Sequence, residues 1–171
     1  MILPDPVYSL LVRASAVAFS GSRAPAPANV AAACAAVAVA AGPILVGDQR
    51  GIDAVVRTAR ADAQIFHAAS WAPGHLAARS IAVVRACAAL GGAWAAFPAA
   101  ACPAGLRPSS NAAACFAGYG SGTWASLAFA IGLGMPAVVY LPAGVAVPWS
   151  ALVAAGDGWF VAQPPRQLAL F

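Results

Sequence analysis

The chain reads as an α/β protein built on a doubly wound, mostly parallel sheet of five to seven strands with helices on both faces. Short apolar runs alternate with longer alanine-rich segments through most of the 171 residues, as repeated β-α-β units do. Loops rich in glycine and arginine follow several of those runs, where the carboxyl ends of parallel strands would lie. The length suits one ordinary domain, residues 1–171, with no repeat, linker or charge block dividing it.

Residues 16–19 make the first strand, ending in Ser20-Gly21-Ser22-Arg23. Asn29 is placed to cap a helix running to about residue 41, where Gly42-Pro43 stops it. Residues 44–46 form the second strand, feeding the loop from Gly47 to Gly51. The helix over 52–61 carries Asp53 in its first turn and Arg57 and Arg60 in its last, both signs suiting the helix dipole. Residues 63–67 are the third strand, 75–90 the third helix and 93–97 the fourth strand. The stretch 98–118 is irregular, with a short helix near 111–116, and its length marks it as a candidate lid or binding segment. A helix over 123–133, a strand over 137–141, a short helix over 149–155 and a strand over 159–161 complete the core. The tail 163–171 opens on prolines and ends in Leu-Ala-Leu-Phe, suited to packing on a neighbour.

Composition narrows the function. The chain is 62% hydrophobic with mean hydropathy +0.80, and residues 108–156 carry no charged side chain. Glycines and prolines nevertheless interrupt every candidate membrane span, and much of the apolarity is alanine. The N-terminus, with Asp5 between Pro4 and Pro6, lacks the basic region of a signal peptide, so the expected location is cytoplasmic. All nine basic residues are arginine and all five acids aspartate. The net charge of +4 is spread without a basic stripe, which disfavours nucleic acid as a partner. Cys34 and Cys87 fall in alanine-rich helical patterns as buried small hydrophobes. Cys102 and Cys115 bracket a loop and are expected as reduced thiols. No cysteine or histidine stands at metal-ligand spacing, so neither metal nor cofactor is expected.

Where strand order reverses in a doubly wound sheet, typically between strands one and four, a crevice opens at the carboxyl ends. The loops bearing Gly21, Ser22 and Arg23, and Gly47, Arg50, Gly51 and Asp53, converge there, with Gly120, Ser121, Gly122 and Thr123 opposite. Arg79, in the helix after strand three, reaches the same edge. Glycine backbone free to approach a ligand, a helix N-terminus capped by Thr123 and planar guanidinium forks together fit a phosphorylated ligand. Asp53 also suits a structural role, accepting N–H bonds from its own loop.

The order and spacing of these motifs, over about residues 16–141, resemble the SLOG superfamily, named for the Smf/DprA and LOG proteins. Ser20-Gly21-Ser22-Arg23 resembles its G-S-R opening. Gly47-Asp48-Gln49-Arg50-Gly51-Ile52-Asp53 is similar to the G-x-A-R-G-I-D loop of the DprA branch, with Gln49 in place of alanine. Ala78-Arg79-Ser80, followed by Val84-Arg85-Ala86-Cys87, sits where members carry an arginine-led helix, and Gly118-Tyr119-Gly120-Ser121-Gly122-Thr123 resembles the LOG loop P-G-G-x-G-T. The resemblance implies a Rossmann-like, nucleotide-binding fold that commonly dimerises. LOG members hydrolyse the N-glycosidic bond of cytokinin nucleoside monophosphates with an arginine, matched by Arg79, and a glutamate just after the G-T loop. Here Trp124, Ala125, Ser126 and Leu127 follow Thr123, and the chain has no glutamate.

The leading expectation is therefore binding of a nucleotide or nucleotide-derived ligand, as sensor or carrier, by a homodimer or higher homo-oligomer. A phosphoribohydrolase with an altered catalytic acid is the alternative, and DprA-like single-stranded DNA binding a second. The last needs an extended basic groove with stacking aromatics.

Overall fold

The computed structural model describes residues 1–163. Strands β1 (Val17–Gly21), β2 (Ile44–Gly47), β3 (Gln64–Phe66), β4 (Ala93–Phe97), β5 (Ala137–Tyr140), β6 (Val153–Gly156) and β7 (Trp159–Ala162) form one sheet. Their order is β3-β2-β1-β4-β5-β7-β6. The first five are parallel, and the β6–β7 hairpin adds antiparallel to β5. The fold is α/β and Rossmann-like, as the alternation of apolar runs implied.

Side-chain alternation along the strands divides the interior between two faces. Val17, Phe19, Ile44, Val46, Ala95 and Phe97 pack beneath helices α1 (Asp5–Arg13), α2 (Pro27–Val39) and α3 (Ile52–Ala59). On the other face Ala18, Leu45, Trp94, Ala96 and Val139 meet α4 (Pro73–Ala89) and α6 (Gly122–Gly132). The short helix α5 (Ala112–Cys115) lies between β4 and α6 in the chain. Alanine brings the helices close: α2 buries Ala32, Ala33 and Ala36 in successive turns. Aromatic rings fill the wider gaps, with Trp159 edge-on to Phe97 and Tyr140 at centroid separations of 5.9 and 5.3 Å.

Several expectations are corrected. Helix α1 was not anticipated, although Asp5 in its first turn and Arg13 in its last mark its ends and Val7 and Leu11 bury one face. The helix expected over 149–155 is instead a turn at Trp149 followed by strand β6. Gly156, Asp157 and Gly158, all at positive φ, turn that segment back to pair with β7. Asn29 does not cap α2, which starts two residues earlier. It is buried, and its Nδ2 donates to the Pro98 carbonyl at 3.1 Å, tying α2 to the end of β4. Cys34 is exposed rather than buried, and all four thiols are unpaired. The stretch 98–118 packs firmly in part, since Leu106 and Cys115 are core residues and the Leu106 carbonyl accepts from Trp149 Nε1 at 3.0 Å. The tail expectation falls, from residue 164 onward, outside the described residues.

No helix among the described residues is long and apolar enough to cross a membrane.

Candidate functional site

The reversal of strand order between β1 and β4 opens a cleft of about 980 Å3. That is near the upper end of small-molecule sites, roughly 300–1,000 Å3. Gly21 at the end of β1 with Ser22 and Arg23 after it, Gly47, Arg50 and Asp53 in and after β2, and Arg79 of α4 all line it. Gly120, Ser121, Gly122 and Thr123 form the opposite wall. Of the predicted residues Gly51 alone is not in the lining.

Gly51 works one step behind. Its φ of 77° suits glycine, and a side chain there would strike the Ser22 carbonyl oxygen. The adjoining Ile52 N–H donates to that same oxygen at 3.1 Å, locking the two arginine-bearing loops together. Arg57 holds the second loop from within, donating to the carbonyls of Gly47 and Gln49 at 2.8 and 3.0 Å. That commitment, rather than a dipole effect, is its structural use.

The arginines differ in kind. Arg23 and Arg50 are exposed on the cleft rim and make no hydrogen bond or ion pair among the described residues. Arg79 is nine-tenths buried: its NH1 donates to Asp48 Oδ1 at 2.7 Å, and its Nε has no partner. Burial pushes the Asp48 carboxyl up, but the Arg79 bond and the Ala68 N–H outweigh it and hold the group below its ordinary range. Arg79 therefore carries a permanent structural duty beside any role toward a ligand.

Asp53 is 5% exposed and lines the cleft. It accepts the Gln49 N–H at Oδ2 over 3.2 Å, as the loop-locking reading expected. Burial dominates its electrostatics and pushes its pKa up to about 6, against the pull of Arg79, the Gln49 N–H and Arg57. Gly47 leaves room for this crowding: a methyl there would stand 2.5 Å from Asp53 Oδ2 and 3.0 Å from Arg79 Cζ.

At the far wall Ser121, not Thr123, caps α6, accepting the Trp124 N–H at 3.4 Å. The N–H groups of Gly122 and Thr123 have no acceptor among the described residues and stand at the positive end of the helix. Gly118 and Gly120, at φ 86° and 81°, shape the loop that presents them. A smaller cavity of about 300 Å3 shares Ser22, Tyr119, Gly120, Ser121 and Thr123 with the cleft.

Sequence reasoning passed over Ser20, Trp71 and Phe116, which also line the cleft. Ser20 opens the Ser20-Gly21-Ser22-Arg23 motif and was within reach. Trp71 and Phe116 come from irregular segments with no periodic signal. Among the described residues no three His, Cys or Asp side chains gather as metal ligands. Comparison with protein-family models, curated proteins and solved structures finds no match to this chain.

Proposed function

We propose that the protein binds a nucleotide or nucleotide-derived phosphorylated ligand in this cleft, as a sensor or carrier of the SLOG type. The observation that carries the reading is the rim itself. Two exposed guanidinium groups without partners among the described residues, Arg23 and Arg50, share one cavity with the N–H groups opening α6, unpaired there too. Planar cations and a helix N-terminus facing a common space are complementary to a phosphate. Trp71, Phe116 and Tyr119 add flat apolar surface for a base.

A thermal-shift series with mono-, di- and cyclic nucleotides tests the proposal. A ligand at 100 times its dissociation constant adds ~2.7 kcal/mol to stability, an easily read rise in Tm. No rise with any nucleotide removes the reading.

A hydrolase reading is favoured by one observation, the carboxyl of Asp53, which faces the cleft with a proton affinity near neutrality. Release of free base from nucleoside monophosphates, lost in Asp53→Asn, would support it. Tight binding without product returns the protein to the carrier class. Self-association into a homo-oligomer is part of the same proposal and rests on exposed apolar side chains along α1 and β6.

A further inference from the structure

The cleft has two chemically distinct ends. At the rim, Arg23 and Arg50 are unopposed cations. Around Gly47 the cleft is lined instead by one group of each sign, Asp53 and Arg79, while Asp48 and Arg57 stand behind them, Asp48 taking the Arg79 NH1 and Arg57 holding backbone carbonyls. A phosphate placed here would meet the Asp53 carboxyl, and an ammonium the Arg79 guanidinium. A neutral polar group meets neither penalty.

Hydrogen-bonding capacity remains unspent at this end. Asp53 makes one bond among the described residues, to the Gln49 N–H, although a carboxylate has about four acceptor sites. Ser20 Oγ has no partner among the described residues. Ser20 follows Phe19, and Gly47 follows its partner Val46 in the parallel register, so Ser20 and Gly47 lie side by side. Both Ser20 and Asp53 line the cleft. A hydroxyl group, which donates and accepts at once, can pair with Asp53 in either protonation state, and a neighbouring hydroxyl with that of Ser20.

Resting on the rim as a phosphate site, we propose that Asp53, with Ser20, binds the vicinal hydroxyls of the ligand's sugar. The occupant is then a ribose phosphate or ribonucleotide rather than a deoxy sugar, a phospholipid headgroup or phosphate alone. Asp53 is a specificity-determining residue in this arrangement, and the aromatic surface of Trp71 and Tyr119 remains for the base.

The test is isothermal titration of the full chain with AMP, 2′,3′-dideoxy-AMP and inorganic phosphate. The wild-type protein is expected to prefer AMP over the dideoxy analogue by about 10-fold or more, as a hydrogen-bonding pocket rejects a partner lacking its hydroxyl. Asp53→Ala should bring that ratio close to one. Asp53→Asn keeps an acceptor for the Gln49 N–H and so preserves the loop, and it should reduce the ratio at least threefold. Equal wild-type affinity for the two nucleotides overturns the sugar assignment while leaving the phosphate rim standing. A preference that survives both substitutions removes Asp53 from it. If neither nucleotide nor phosphate binds the wild-type protein, the rim reading fails and this inference with it.

Discussion

At Asp53 the sign of the electrostatics is set by burial, and it has a consequence for stability. An aspartate that titrates near 3.8 in the unfolded chain and at about 6 in the folded one binds its proton more tightly when folded. Its contribution is fully present below pH 3.8 and is lost as pH rises through about 6. Asp53→Asn should flatten this dependence and raise stability at pH 8 by on the order of 2–3 kcal/mol, read as Tm against pH. A pH profile identical to wild type would mean the carboxyl is better solvated than its burial indicates. The rim arginines predict the reverse combination. Arg50→Ala removes an exposed side chain without partners, so Tm should move by no more than ~0.5 kcal/mol of equivalent stability. Ligand affinity should nevertheless fall about 10-fold or more, the loss of one charge-assisted bond. Arg79 cannot be read so cleanly, because its removal also strands the Asp48 carboxyl.

Among the elements, the loops were legible because arginine, one of the few charged residues in so alanine-rich a chain, clusters there beside glycine. The three loops at the β1, β2 and α6 ends were placed on one edge from strand order alone, and the structure sets them around one cleft. What stayed hidden is contact at long range. Nothing local to Asp48 announces a partner 31 residues away in Arg79, and nothing in Asn29 distinguishes a helix cap from a tie to Pro98. Alanine blurs the rest: residues 150–155 satisfy either a helix or a strand, and the glycine-flanked turn at Asp157 decides for the strand. A tight joint between the two arginine-bearing loops is Gly51. Gly51→Ala places a methyl against the Ser22 carbonyl at a positive φ, and should cost about 1–3 kcal/mol in chemical denaturation. Because that joint aligns Arg23 with Arg50, the same variant should also bind ligand more weakly. Full affinity in a destabilised Gly51→Ala would show that the two loops act independently.

On the scale of the molecule, the sheet is finished unequally at its two ends. The β3 edge is short, three residues, opening on polar Gln64 and followed by His67. The β6 edge, Val153–Gly156, carries no charge, and Val153 is 61% exposed. Beside it on the same end lies α1, in contact with β6 and β7, with Tyr8 and Val12 open to solvent. An uncharged edge strand next to apolar helix surface lacks the lysines, prolines and bulky charges by which monomers keep such edges apart, and only the register shift between Ala154 and Gly156 breaks its line. The self-association expected from the chain's apolar composition should therefore run through β6 and α1, leaving the cleft at the carboxyl ends of the parallel strands open. Light scattering on a sizing column should give a dimer or larger species for the wild-type protein. Val153→Lys introduces a charge at the edge without touching the core, so it should shift the mass toward the monomer while nucleotide-dependent thermal shifts persist. A mass unchanged by Val153→Lys would take β6 out of the interface. A monomeric wild-type protein would show that this edge is tolerated bare.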